Sequence, residues 1–249
     1  MDKEGKYIYC IIETNFPCNF GSIGIGGRGD EVTTISCEGL SAVVSNTPMT
    51  KYTLSRDNLI AHEKAIEKVM QEFTVLPVRF CSIAESADEI RNLLGKRHSE
   101  FKSLLRDMDG KVELGLKAFW KDMKVIYKEI ANSPEVSAKK KKGASGLEEQ
   151  IEAGKLVERL LEKKKEEEGE EILTHLRHSA YNIALGKLLT ENMFLNAAFL
   201  VDKAREMEFD TLVDELDKKY SAKGGRAQFK YVGPLPPYNF VNVVIKEDE

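Results

Sequence analysis

Cysteine is scarce in this chain of 249 residues: four copies, Cys10, Cys18, Cys37 and Cys81, all in the first third. Their spacings match neither a CxxC clip nor a zinc ribbon, which excludes a disulfide scaffold and a structural zinc site as organising principles. Cys10, Cys37 and Cys81 fall in strand-like runs, where a thiol behaves as a small hydrophobe, so buried free thiols in a reducing cytosol are expected. Net charge is small too. Lys and Arg number 37 against 41 Asp and Glu, a balance of −4, which lacks the basic footprint of a nucleic-acid binder. No apolar run approaches the roughly 20 residues that span a bilayer, so no membrane association is expected. The opening Met1-Asp2-Lys3-Glu4-Gly5 runs straight into the strand-like Lys6–Ile12. It has no basic segment, apolar core and cleavage site in succession, so no signal peptide is expected either.

What is there is enough for a real core. Hydrophobic residues make up 42% and charged residues 31%, the mixture of a globular protein with one large domain or two of ordinary size. The most informative stretch is Leu59 to Phe80, an amphipathic helix leading into a strand. At 100° per residue Leu59, Ile66, Met70 and Phe73 share one face, with Val69 beside them. His62 and Glu63 sit on opposite flanks of that face. In the strand expected over 75–83, Leu76, Val78 and Phe80 point one way and Val75, Arg79 and Cys81 the other. His62, Glu63 and Arg79 therefore lie at the margin of an apolar seam, as anchors or as a site.

Around this stretch the chain alternates strands and helices. A glycine-rich loop from Thr14 to Asp30 contains Gly24-Ile25-Gly26-Gly27-Arg28-Gly29, which satisfies the dinucleotide pattern GxGxxG. It leads into a β-rich run rather than a helix, so it reads as a flexible loop and not as a phosphate cradle. Strands over 31–37 and 40–45 are joined by Glu38-Gly39, a hairpin turn. Ser55 caps the helix that follows, and Ser86-Ala87-Asp88-Glu89 opens another helical region, divided near Gly95 and ended by Asp109-Gly110.

A strand over 112–120 and a helix over 121–131 begin the second half. The segment 137–146, with Lys139 to Lys142, is too small-residued and charged to order itself. From Leu147 to Leu189 the pattern is helical almost throughout, with an interruption near Gly169 and a solvated face carrying Lys163–Glu168. Glu171, His175 and His178 have a metal-like spacing, but they lie opposite the apolar stripe, so a solvated face is the reading and no metal is expected. A strand over 193–201, a helix over 205–219 and a strand over 227–232 complete the order. The tail Gly233–Val241 is stiffened by prolines and is too apolar to hang in water.

These elements predict an α+β protein of two domains. Residues 1–109 form an N-terminal α+β domain with a small mixed sheet and helices. Residues 110–232 form a C-terminal ferredoxin-like α+β domain with a long, charged helical insertion at about 137–170. Residues 233–249 form a Pro-rich tail that docks on the body or on a partner.

Taken in order, several segments resemble the gas vesicle F/L-type proteins. They are Tyr7-Ile8-Tyr9, Gly39–Ser45, His62-Glu63 with Ile66 and Met70, and Val75–Phe80. Gly110–Lys117, Asn196–Val201 and Gly233–Val241 continue the match across nearly the whole chain. Leu235 departs from an expected Trp, and Cys81 stands where Gly is more usual. The resemblance implies a non-enzymatic accessory or minor structural protein of the gas vesicle. Its partners would be the hydrophobic major shell protein and other accessory proteins in the cytoplasm, with no nucleic acid, membrane or cofactor involved. The partner candidates are Leu235, Tyr238 and Phe240 of the tail, together with the helical insert. The alternatives are an enzyme of unknown reaction using a His62/Glu63/Arg79 pocket and a nucleic-acid or anionic-surface binder using Lys139–Lys142. Against the enzyme, the chain has no nucleophile elbow, no phosphate loop and no metal set. In the accessory-protein reading His62, Glu63 and Arg79 are framework, His62 or Glu63 tying helix to strand through a largely buried pair with Arg79.

Overall fold

The computed structural model describes residues 4–48, 51–140, 147–222 and 224–245. The chain is α+β, and its contacts separate two units, Met1–Glu113 with Pro234–Glu249, and Leu114–Gly233.

In the first unit the sheet is built from β1 (Glu4–Ile12), β2 (Thr33–Cys37), β3 (Leu40–Pro48), β4 (Leu76–Pro77) and β5 (Ile83–Ala84). Its order is β2-β3-β1-β4, with β5 also paired to β1, and all pairings are antiparallel. Residues Tyr7 to Ile12 of β1 are completely buried, as a central strand covered on both faces must be. The β1–β3 register slips between Ile8 and Cys10. That bulge flips the parity of the strand, so Tyr7, Tyr9, Cys10 and Ile12 all join one core cluster. The β2–β3 hairpin turns on Glu38 (φ 51°) and Gly39 (φ 86°), two left-handed residues in succession as a tight two-residue turn requires.

Helix α1 (Arg56–Met70) starts at Ser55, whose hydroxyl accepts from the Asn58 amide at 3.3 Å. Its buried side is His62, Ala65, Ile66 and Val69. Leu59, expected on that face, is 42% exposed; His62 takes its place. Helices α2 (Ala87–Lys96) and α3 (His98–Met108) divide at Arg97, two residues beyond Gly95. Ser86 caps α2 by accepting from Glu89 N, and the Glu89 carboxylate reaches back to accept from Glu85 N at 2.6 Å.

Two expectations for this unit fail. The continuous strand over 75–83 is instead two short pieces, because Cys81 turns the chain with φ 66°. Val75, Leu76, Pro77 and Val78 are buried without alternation. The carboxyl-terminal segment closes over them, Val243 forming a parallel bridge to Val78. The glycine-rich loop is a wound turn rather than a slack one. Ile25 within it is fully buried, and a Cβ at Gly24 would come within 2.7 Å of the Asp30 carbonyl oxygen.

The second unit contains β6 (Lys111–Trp120) from Leu114 onward, its first three residues belonging to the first unit, with α4 (Met123–Ala131), α5 (Pro134–Lys140) and α6 (Leu147–Leu176). These are followed by β7 (Asn182–Leu185), β8 (Met193–Asp202), α7 (Glu206–Ala222) and β9 (Ala227–Leu235). Its sheet order is β7-β8-β6-β9. The helix expected to reach Leu189 stops at Leu176. A 3-10 turn over Arg177–Ser179 leads into β7, a short edge strand that helical periodicity hides. Helix α6 runs unbroken through Gly169, where a Cβ would meet the Phe194 carbonyl oxygen at 3.0 Å. Here glycine lets the helix lie close on β8. Lys141 and Lys142 of the lysine tetrad lie outside the described residues, as do the side chains of Lys139 and Lys140.

Candidate functional site

Three of the sequence-derived candidates converge on the first unit's helix α1 and the segment after β4, and the structure separates their roles. His62 points into the core and is 5% exposed. Its ring stands 5.6 Å from Phe80, 5.7 Å from Tyr7 and 5.8 Å from Tyr9, centroid to centroid. The Tyr7 hydroxyl lies 3.0 Å from Nδ1 and also accepts from the Cys81 amide at 3.0 Å. That hydroxyl therefore donates to a neutral imidazole while it holds the turn at Cys81. Burial pushes His62 from its ordinary 6.5 down to about 4, against an opposing hydrogen bond to the Val78 main chain. The result is a neutral histidine that ties α1 to β1 and to the segment around Val78.

The network extends through tyrosines. Tyr9 meets Ser45 at 2.8 Å and accepts from the Ile25 amide at 2.8 Å, which explains how the glycine-rich turn is held. Tyr52 meets Thr47 at 2.7 Å, and its amide donates to Cys81 Sγ at 3.2 Å. Burial raises the phenols of Tyr7 and Tyr9, so both stay protonated donors at neutral pH. Cys81 occupies a left-handed conformation, φ 66°, that glycine adopts more readily. Burial likewise raises the thiol of Cys10.

Arg79 is exposed, so any pair it makes is not the buried one expected. The reason is local: Val78 faces the core and the chain then turns, which leaves Arg79 outside. Glu63 is half-buried and acts instead on the tail. The phenol of Tyr238 is pushed up by burial first and then by the Glu63 carboxylate, with Glu67 and Glu113 contributing.

Glu113 anchors the tail. It is 2% exposed, and its two carboxylate oxygens accept from the Asn239 amide at 2.8 Å and from Asn239 Nδ2 at 2.6 Å. Burial raises its carboxyl and these two donors oppose the rise. Beyond Asn239, Val241 and Val243 are buried, and Arg97 donates to the Val244 carbonyl at 2.7 Å. Of the three tail candidates, Leu235 and Phe240 are half-buried, whereas Tyr238 keeps 36% of its surface exposed.

In the second unit the structure assembles a cluster that sequence reasoning missed. Arg226 forks between Glu129 and Glu168, with Nη2 at 2.9 Å from Glu129 Oε2 and 2.7 Å from Glu168 Oε1. Trp120 Nε1 donates to Glu168 at 2.7 Å, and Lys164 reaches Glu129 at 2.8 Å. Hydrogen bonding by Arg226 holds the Glu129 carboxyl down at about 2. Glu168, expected in a solvated charge run with Lys164, does stand 3.8 Å from it, but is only 15% exposed because α6 presents it to the sheet. The signal was the lone Trp, which needs a buried acceptor. Glu171 pairs with Lys219 at 2.7 Å, and His175 Nε2 lies 3.9 Å from Glu215. Among the described residues no group of three His, Cys, Asp or Glu is placed to hold a metal.

A family model described as gas vesicle synthesis protein GvpL/GvpF matches residues 5–242. The chain is 32% identical over 200 residues to gas vesicle protein F of Dolichospermum flosaquae, which covers 78% of this chain and 80% of that relative. It is 26% identical over 246 residues to gas vesicle protein F of Microcystis aeruginosa (strain PCC 7806), covering 96% and 99%. Among solved structures, the crystal structure of the gas vesicle protein GvpF from Anabaena sp. PCC7120 superposes with a TM-score of 0.83. Identity there is 28%, and 96% of this chain and 99% of that one are covered. The chain belongs to the GvpL/GvpF family of gas vesicle synthesis proteins.

Proposed function

We propose that this member of the GvpL/GvpF family is a non-enzymatic accessory or minor structural protein. It would bind the hydrophobic major shell protein, and other accessory proteins, in the cytoplasm while gas vesicles assemble. The observation that carries the reading is the match along residues 5–242, which leaves neither unit outside the family. The state of the seam supports it: His62 is packed among three aromatic rings with its Nδ1 engaged by a hydroxyl. That suits a framework residue better than a general base, which needs an approachable nitrogen. A shell subunit exposes apolar surface before it is incorporated, and an accessory protein that covers such surface keeps it from aggregating.

The architecture is read in the same way. Strand order β7-β8-β6-β9 with the helices between β6 and β7 and between β8 and β9 supports a ferredoxin-like domain with an enlarged first crossover. For contacts with the shell protein the proposal keeps the tail and the helical insert, chiefly Tyr238 and the 51% exposed Ile151 of α6. Two experiments test it. A producing strain that lacks the chain should make few or malformed vesicles, and normal vesicles in normal number would sink the assembly role. Capture of the shell protein should fall when Tyr238→Ser and Ile151→Glu are combined in a folded chain; undiminished capture would move the contact elsewhere.

A further inference from the structure

The second unit gathers exposed apolar area on one edge of its sheet. β7 is the outermost strand of the order β7-β8-β6-β9. Along it and the turn that follows, Tyr181 is 69%, Leu185 66%, Leu188 39% and Leu189 70% exposed. Isolated exposed leucines are ordinary; four large apolar side chains within nine positions of one edge are not.

Between this edge and α6 lies an open groove of about 320 Å³, floored by Leu173, Leu185, Leu188, Phe194 and Leu195. Its rim on α6 is acidic. Glu162, Glu166 and Glu170, one turn apart, line it against the single ammonium of Lys165. Lys165 pairs with Glu162 at 2.7 Å, and Glu170 is met by Arg177 at 2.8 Å. Among the described residues no ion pair holds Glu166, which is exposed at the middle of the rim.

The backbone adds a directional element. β7 and β8 are antiparallel with Asn182 opposite Leu200 and Leu185 opposite Ala197, and the Gly186 amide donates to the Asn196 carbonyl at 2.8 Å. In an antiparallel ladder alternate residues turn their amides and carbonyls to the partner strand. Asn182, Ala184 and Gly186 thus serve β8, and Ile183 and Leu185 direct theirs to the open side. The Asn182 side chain accepts the Ile183 amide at 2.8 Å, which leaves the Leu185 end of the strand as the place to pair. The turn beyond it is preset. Asn196 Nδ2 donates to the Lys187 carbonyl at 2.9 Å, and it packs so closely that a Cβ at Gly186 would lie 2.5 Å from it.

We propose that this edge and groove receive an extended, apolar segment of a partner that carries a Lys or Arg, added as a strand beside β7. The outward backbone groups call for a strand, the groove floor for alternate apolar side chains, and the carboxylate rim for a cation near Glu166. The same charges disfavour a second copy. Antiparallel pairing of two β7 strands would set both α6 rims on one side of the joined sheet, carboxylates facing carboxylates. This inference goes beyond the assembly role and rests on the second unit alone.

The test uses the whole chain and two labelled peptides, Lys-Thr-Val-Thr-Val-Thr-Lys and the same sequence with Glu at both ends, titrated by fluorescence anisotropy. The lysine peptide should bind, and the glutamate peptide should bind about tenfold more weakly or worse. Leu185→Lys and Glu166→Lys, both at exposed positions, should each weaken the lysine peptide by about tenfold or more. Their circular dichroism and melting should stay unchanged. The Leu185 amide should gain protection from hydrogen exchange on binding. Equal binding of the two peptides, no binding of either, or indifference to Leu185→Lys overturns the proposal. A dimer in sedimentation that Leu185→Lys abolishes would also overturn it, by giving the edge to a second copy. No vesicle component enters these measurements, so their failure leaves the assembly role untouched, and failure of that role leaves them untouched.

Discussion

Mild acid should loosen the first unit through the neutral His62 before it disturbs most ion pairs. The ring is 5% exposed and its neutral form is the one the fold accepts, with titration pushed down from 6.5 to about 4 by burial. The sign follows from which state binds more protons. Below 6.5 the unfolded chain takes up a proton that the folded chain refuses. The His62 contribution is thus nearly intact above pH 6.5, falls away as pH drops from 6.5 toward about 4, and is fully lost below that. At pH 5 the unfolded state is favoured by a factor of about 30, or about 2 kcal/mol, against about 0.2 kcal/mol at pH 7. For a chain of this size that corresponds to a melting temperature lower by about 4–8 °C. The comparison is His62→Gln, which removes the titration and keeps a polar side chain facing the Tyr7 hydroxyl. Gln packs less well, so the variant should be less stable at pH 7. Its further loss between pH 7 and pH 5, read from urea unfolding, should be smaller than that of the parent by about 2 kcal/mol. His98, His175 and His178 are present in both proteins and cancel. Parallel losses in the two proteins would mean that His62 accepts its proton in place, and the reasoning about the buried ring would be wrong.

Three further outcomes are expected. Arg226→Met strands Glu168, 15% exposed, and should cost about 2 kcal/mol, less than a fully buried pair because the cluster is partly wet. Carbon-detected titration should find Glu129 risen from about 2 toward the ordinary 4.5, and an unmoved Glu129 would contradict its assignment to Arg226. Asn239→Ala removes one of the two donors that hold the buried Glu113 carboxylate and should cost about 1–3 kcal/mol. Hydrogen exchange at Val241 and Val243 should speed up; unchanged protection would show that the tail is held without this clamp. Cys81→Gly relieves a left-handed residue at φ 66° but gives up the sulfur that accepts the Tyr52 amide, so the two effects should nearly cancel, whereas Cys81→Val loses that acceptor, adds a β-branched side chain at positive φ and should destabilise by about 1–3 kcal/mol. The reverse order in thermal melts would remove backbone strain from the account of that turn.

Local chemistry was legible in the residues themselves. Ser55 and Ser86 cap the helices they were expected to cap, and Glu38-Gly39 makes the hairpin. The α+β class and the family also followed from the order of segments. Periodicity misled where a third element decides burial. Val75–Val78 do not alternate because a segment more than 150 residues later pairs with Val78 and covers them. His62, placed by the wheel on a flank, is central because Tyr7 and Phe80 build a polar-lined aromatic pocket for it. Arg79, expected to answer it from within, is left outside by the turn at Cys81. The strand Asn182–Leu185 is only four residues long, shows no clean alternation and follows a helix closely, too short a signal to separate strand from helix end.

By itself, the sequence determined what depends on neighbours a few positions apart: caps, turns, the apolar stripes and the ordered motifs that mark the family. Tertiary structure alone decided which margin of a stripe faces the core, how Glu129, Glu168 and Arg226 meet, and that β7 is left as an open edge. Those outcomes depend on contacts between residues far apart in the chain, where burial and electrostatics outweigh local preference.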